Sequence, residues 1–112
     1  MADLPKILIV DDDSSFRELL LSIFEDFFEI ELAANGNEAE ELIKEHSFKL
    51  VISDYRMPGI NGSKLVRSHP ELPFIVVSGL DKLPDFPEHV TCMPKPVVYE
   101  QLIAEAKKIV GF

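Results

Sequence analysis

The chain has 112 residues, 46% of them hydrophobic and 28% charged, a mix that suits one globular domain, 1–112, built round one core. Its 20 acidic residues outnumber 11 basic ones for a net charge of −9, which repels phosphate backbones and argues against nucleic-acid binding by this domain. No apolar run approaches the roughly 20 residues of a membrane helix, "MADLPK" lacks the basic-then-apolar pattern of a signal peptide, and the lone Cys92 allows no intrachain disulfide; a cytoplasmic protein away from membranes is expected.

The first element is "KILIV" (6–10), a continuous apolar run of the kind found in strands covered on both faces. It empties into three consecutive carboxylates, Asp11, Asp12 and Asp13. Asp13 or Ser14 can cap a helix whose apolar stripe is Phe16, Leu19, Leu20, Ile23 and Phe27. "EIELA" (29–33) alternates, which predicts an edge strand with one wetter face. Ala39, Leu42 and Ile43 form a second helical stripe, opened by Asn35 or Asn37. "KLVIS" (49–53) is a third strand and leads to Asp54, after which Gly59 and Gly62 serve turn geometry. Leu65 and Val66 sit in a short third helix that ends before Pro70. "FIVVS" (74–78) is a fourth strand, ending on Ser78.

The next connection, "GLDKLPDFPEH" (79–89), carries Pro84 and Pro87 and predicts a loop or a single turn in place of a helix. "VTCM" (90–93) is a fifth strand that runs to Lys95 and Pro96. Tyr99, Leu102, Ile103, Ala106 and Val110 make a last helical stripe, closed by Gly111. Strands alternating with helices give a parallel sheet with helices on both faces.

Ligand sites in open parallel sheets form at the carboxyl ends of the strands. Strand one ends in the three aspartates, strand three in Asp54, strand four in Ser78 and strand five in Lys95. Carboxylates gathered in one pocket raise one another's pKa, and an oxygen-loving divalent cation such as Mg²⁺ removes that cost. The metal and the lysine would neutralise phosphoryl oxygens, the hydroxyl would donate to another, and a remaining carboxylate would be nucleophile or coordinating base.

"ILIVDDD", "VISDYRMPGING", "IVVSG" and "PKP", in this order and each at a strand end, resemble the receiver domains of two-component response regulators over essentially the whole chain, 6–110. The resemblance implies an α/β, flavodoxin-like doubly wound sheet of five parallel strands in the order 2-1-3-4-5. It implies that Asp54 accepts the phosphoryl group, that Mg²⁺ is held by Asp11, Asp12, Asp54 and the backbone carbonyl of Arg56, with Asp12 a more direct ligand than Asp11, and that Ser78 is a switch hydroxyl. It further implies that Lys95 pairs with the phosphoryl group and that the Lys95–Pro96 bond is cis. The expected activity is that of a phosphoacceptor, which at most catalyses its own phosphorylation and dephosphorylation. A histidine kinase or phosphotransfer protein would donate the phosphoryl group, an output protein would read it, and the chain would be a monomer or a phosphorylation-dependent dimer. Two departures bear on the output: Cys92 stands where the family often has Tyr or Phe, and the short 79–89 segment implies a fourth helix that is reduced or absent.

Plainer readings attach to the other candidates. Asp13 reads as a helix cap, and Ser78 owes its weight to position. Arg56 is a solvated loop residue or a modulator of phosphoryl lifetime; Leu80 shields an acyl phosphate from water or simply packs. His46, His69 and His89 read as surface residues, and Cys92, beside Met93, as a core strand residue in preference to a reactive thiol. Two other functions compete. One is a receiver-like binding module without phosphotransfer. The other is a haloacid-dehalogenase-type phosphatase with Asp11 as nucleophile and Asp13 as acid, which leaves "DYRMPG" unexplained and lacks an acidic pair at a strand end after Lys95.

Overall fold

A computed structural model describes residues 4–55, 62–79 and 86–111. Five strands form one sheet: β1 (Lys6–Val10), β2 (Glu29–Ala33), β3 (Leu50–Asp54), β4 (Phe74–Ser78) and β5 (Val90–Pro94). All neighbours are parallel and the order is β2-β1-β3-β4-β5, which is the doubly wound arrangement expected. The alternating "EIELA" stands at one edge. The helices are α1 (Ser14–Phe24), α2 (Gly36–Glu45), α3 (Gly62–Ser68) and α4 (Tyr99–Val110), the fourth following β5. The expectation that the β4–β5 connection lacks a full helix falls mostly on residues 80–85, outside the described residues; 79 and 86–89 are non-helical.

The period of two along each strand sorts the core into two layers. Ile7, Ile9, Ile52, Ile75 and Val77 pack on one face with Leu20, Phe24, Leu102 and Ala106, so α1 and α4 cover that side. Leu8, Val10, Val51, Phe74 and Val76 face the other way with Ala39, Leu65 and Val66 from α2 and α3. Continuous apolar runs were the only sequence compatible with two covered faces.

The α1 stripe is as expected at four of its five positions; Leu19 is the exception, and Phe24 is buried in addition. Leu20 and Phe24 are fully buried, Phe16, Ile23 and Phe27 pack partly against them, and Leu19 is 40% exposed. The helix also stops at Phe24, so Phe27 and the buried Phe28 lie in the turn before β2, with the Phe24 and Phe28 rings 5.7 Å apart. Burying the pair Leu20–Phe24 aligns the largest side chain with the sheet and turns Leu19 to solvent.

Both predicted caps settle on single residues. Asp13 Oδ1 accepts hydrogen bonds from the amides of Ser15 (2.9 Å) and Phe16 (3.3 Å), and Asn35 accepts one from Glu38 (2.9 Å). Gly111 ends α4 in the left-handed conformation, φ 99°. Asp13→Ala is expected to cost about 1 kcal/mol of stability, the usual worth of such a cap, and to lower the melting temperature by several degrees in a thermal scan.

Cys92 corrects an expectation. It is exposed, because β5 is the other edge strand and Met93, not Cys92, points to the α1/α4 layer. The three histidines are half-buried and engaged: Lys6 Nζ lies 3.1 Å from His46 Nδ1, His69 Nε2 lies 2.8 Å from Glu40, and His89 Nε2 lies 3.3 Å from the Val66 carbonyl. They serve the packing of α2 and α3, where a plain surface position was expected.

Candidate functional site

The carboxyl ends of β1, β3 and β5 open into a cleft of about 400 Å³ lined by Asp11, Asp12, Asp13, Phe16, Asp54, Lys95, Pro96 and Tyr99. Its assembly follows from the sheet order. β1 and β3 are neighbours, so Val10 and Ser53 are paired and the residues that follow, Asp11 and Asp54, emerge side by side. β5 reaches the same rim across β4, where the Lys95 amide donates to the Ser78 carbonyl (2.8 Å).

Asp11, Asp12 and Asp54 each offer a carboxylate oxygen, and these oxygens lie within 4.8 Å of one another. Asp11 is buried and Asp12 exposed. Lys95 Nζ lies 3.2 Å from Asp54 Oδ1 and 5.7 Å from the centre of the Phe16 ring. The Lys95–Pro96 peptide is cis. The donor set is all oxygen, with no soft ligand, which fits a hard divalent cation and not zinc or copper.

The electrostatics of the cluster concentrate on Asp11. Burial pushes its carboxyl up to about 6 from an ordinary 3.8; the Asp13 amide opposes that rise, the Asp54 charge adds to it, Lys95 opposes it and Asp12 adds to it. One of its oxygens, Oδ1, accepts from the Asp13 amide at 2.9 Å. A buried acid whose ionised form is disfavoured gains from any cation brought to it.

Of the residues singled out in the sequence, Asp11, Asp12, Asp54 and Lys95 come together. Ser78 stands at the end of β4, 4% exposed, outside the lining of the cleft. Asp13 lines the cleft but its carboxylate is committed to capping α1, as expected. Arg56, Gly59 and Leu80 lie outside the described residues.

Three contributors were not legible as site residues. Phe16 and Tyr99 were assigned to helix stripes, yet both line the cleft. Arg17 was passed over, yet its Nη1 donates to the Asp11 carbonyl at 2.6 Å. One signal pointed to it: a cation in the opening turns of a helix meets the positive end of the macrodipole, so it needs another reason to be there.

Comparisons with known proteins agree on one family. A model of the response regulator receiver domain matches residues 7–107. The transcriptional regulatory protein CpxR homolog of Haemophilus influenzae is 34% identical over 113 residues, covering 93% of this chain and 49% of that protein, so the chain spans about half of that relative's length. Among solved structures, the receiver domain of the hybrid histidine kinase CckA superposes with a TM-score of 0.82 at 28% identity, covering 94% of this chain and 98% of that one. A CheY-like receiver domain protein from Methanospirillum hungatei gives 0.83 at 27% identity, covering 96% and 94%.

Proposed function

The chain belongs to the response regulator receiver domain family, a signalling module and not a metabolic enzyme, and from that premise we propose that it accepts a phosphoryl group on Asp54 in a two-component phosphorelay. Receiver domains work with histidine kinases and with output domains; the donor here would be a phosphohistidine of a cytoplasmic kinase or phosphotransfer protein. The observation that carries the reading is the convergence of Asp11, Asp12, Asp54 and Lys95 on one rim.

Asp11, Asp12 and Asp54 would hold Mg²⁺, with the Arg56 carbonyl beside them, and the bound cation would supply charge neutralisation for the phosphoryl oxygens. An Asp54 carboxylate oxygen attacks phosphorus in line. An O–P bond forms as the P–N bond to the donor imidazole breaks, and the electron pair returns to the ring nitrogen. Lys95, already 3.2 Å from Asp54, keeps a positive charge where the phosphoryl oxygens arrive. The Ser78 hydroxyl, at the end of β4, would turn toward the phosphorylated Asp54 and carry the change into the β4–β5 connection.

The test is intact mass of the wild type after incubation with a small-molecule phosphodonor, with Mg²⁺ and with a chelator in its place. One added phosphoryl group with Mg²⁺, largely lost with chelator, is expected. No addition under either condition would favour a receiver-like binding module without phosphotransfer.

A further inference from the structure

We propose that Arg17 is a positioning residue of the acidic site: it holds the main chain of Asp11 so that the Asp11 and Asp12 carboxylates meet Asp54 around a divalent cation. The inference rests on the reading of the cluster as a Mg²⁺ site.

Three hydrogen bonds fix Asp11. Its amide donates to the Ala33 carbonyl of β2 (3.1 Å), its Oδ1 accepts from the Asp13 amide (2.9 Å), and its carbonyl accepts from Arg17 Nη1 (2.6 Å). The first extends the sheet and the second is local to the turn. The third is the only one of these made by a side chain from further along the chain, and it ties the end of β1 to the body of α1. A charged donor to a carbonyl is stronger than a neutral one, and the contact is partly shielded from water.

The usual job of a helix arginine does not explain this one. Among the described residues no carboxylate lies within ion-pairing distance of Arg17. Its position near the start of α1 is opposed by the helix dipole. The side chain is half-buried, with its bond made to the Asp11 carbonyl, the backbone link between the two members of the acidic pair. Partners behind metal ligands commonly govern affinity without touching the ion.

Positioning and plain electrostatics predict opposite signs. A guanidinium beside a dication site repels the dication, so removing the charge alone tightens Mg²⁺ binding. Removing the anchor of Asp11 loosens it. Isothermal titration of Mg²⁺ into the full chain, wild type against Arg17→Met and Arg17→Lys, separates them. Arg17→Met is expected to bind on the order of ten-fold more weakly, in the range set by partners of metal ligands. Arg17→Lys, which keeps a donor on a long stem, is expected to recover most of the loss. A merely structural role would lower the melting temperature and leave Mg²⁺ affinity in place. Unchanged or tighter binding by a folded Arg17→Met overturns the proposal; Arg17→Gln carries the same comparison if the Met variant does not fold. A wild type that binds no Mg²⁺ overturns the metal-site reading itself, and this inference with it.

Discussion

Asp54→Asn is expected to take up no phosphoryl group from a small-molecule donor under conditions that label the wild type fully, and to remain folded. The amide is a poor nucleophile, so the O–P bond has no partner, while size and shape are nearly unchanged. Asp54 is the last residue of β3 and is not part of the buried core, so the sheet keeps its hydrogen bonds. The variant also loses one carboxylate of three from the cluster, and Lys95 loses its ion-pair partner. Intact mass together with peptide mapping checks the result. Labelling of Asp54→Asn at the wild-type rate on a neighbouring aspartate would remove Asp54 from its role and leave the metal site to be reassigned.

The second large effect has an unusual sign: Asp11→Asn is expected to stabilise the metal-free protein at neutral pH. Folding raises the Asp11 pKa from 3.8 to about 6, chiefly because the folded chain buries the carboxyl. Between those values the folded state holds a proton that the unfolded state has released. Stability therefore falls as pH rises through the window, and above pH 6 the whole cost is present, at most about 3 kcal/mol for a gap of this size. Asparagine is neutral throughout and can still accept the Asp13 amide through its side-chain oxygen. The melting temperature of the metal-free variant should exceed that of wild type at pH 7.5 by several degrees, and the advantage should vanish near pH 4.

Added Mg²⁺ should reverse the order. A ligand that binds only the folded state stabilises it by about 2.7 kcal/mol at one hundred times its Kd, and the variant forgoes that gain. Thermal scans at two pH values, each with and without Mg²⁺, contain the whole prediction. A variant less stable than wild type in metal-free buffer at pH 7.5 would show that burial of Asp11 does not carry the cost assigned to it.

Strand positions and rim chemistry were legible in the sequence for a physical reason, whereas the order 2-1-3-4-5 was implied by the family resemblance alone. Strands covered on both faces must be apolar throughout, so "KILIV" and "FIVVS" announce themselves, and the first polar residue after each run marks the rim. That is why the places of Asp11, Asp54 and Lys95 on the rim are readable from the sequence. The edge of the α1 stripe was less legible, because "LLL" at 19–21 and the phenylalanines at 24, 27 and 28 leave Leu19 and Phe24 on either side of it. Only the sheet decides that Phe24 goes in and Leu19 goes out.

Cys92 failed for a related reason. A four-residue run carries no sign of which strand is an edge, so exposure on one face cannot be read from it. Arg17 failed because the partner of its side chain is a backbone carbonyl, which leaves no trace in residue type.

The path of the sheet also sets the order in which the pocket is born. A ribosome delivers the N-terminal segments first, and long-range parallel pairings form only after the intervening chain exists. The carboxylates come from β1 and β3, whereas the ammonium of Lys95 arrives only with β5, on the far side of β4. A nascent chain that has folded through β4 therefore carries the three carboxylates without the ammonium that ion-pairs with Asp54. Docking of β5 then brings Lys95 to within 3.2 Å of Asp54. Closing the sheet and bringing Lys95 to the pocket are thus a single late event, set by the place of β5 at the edge of the sheet.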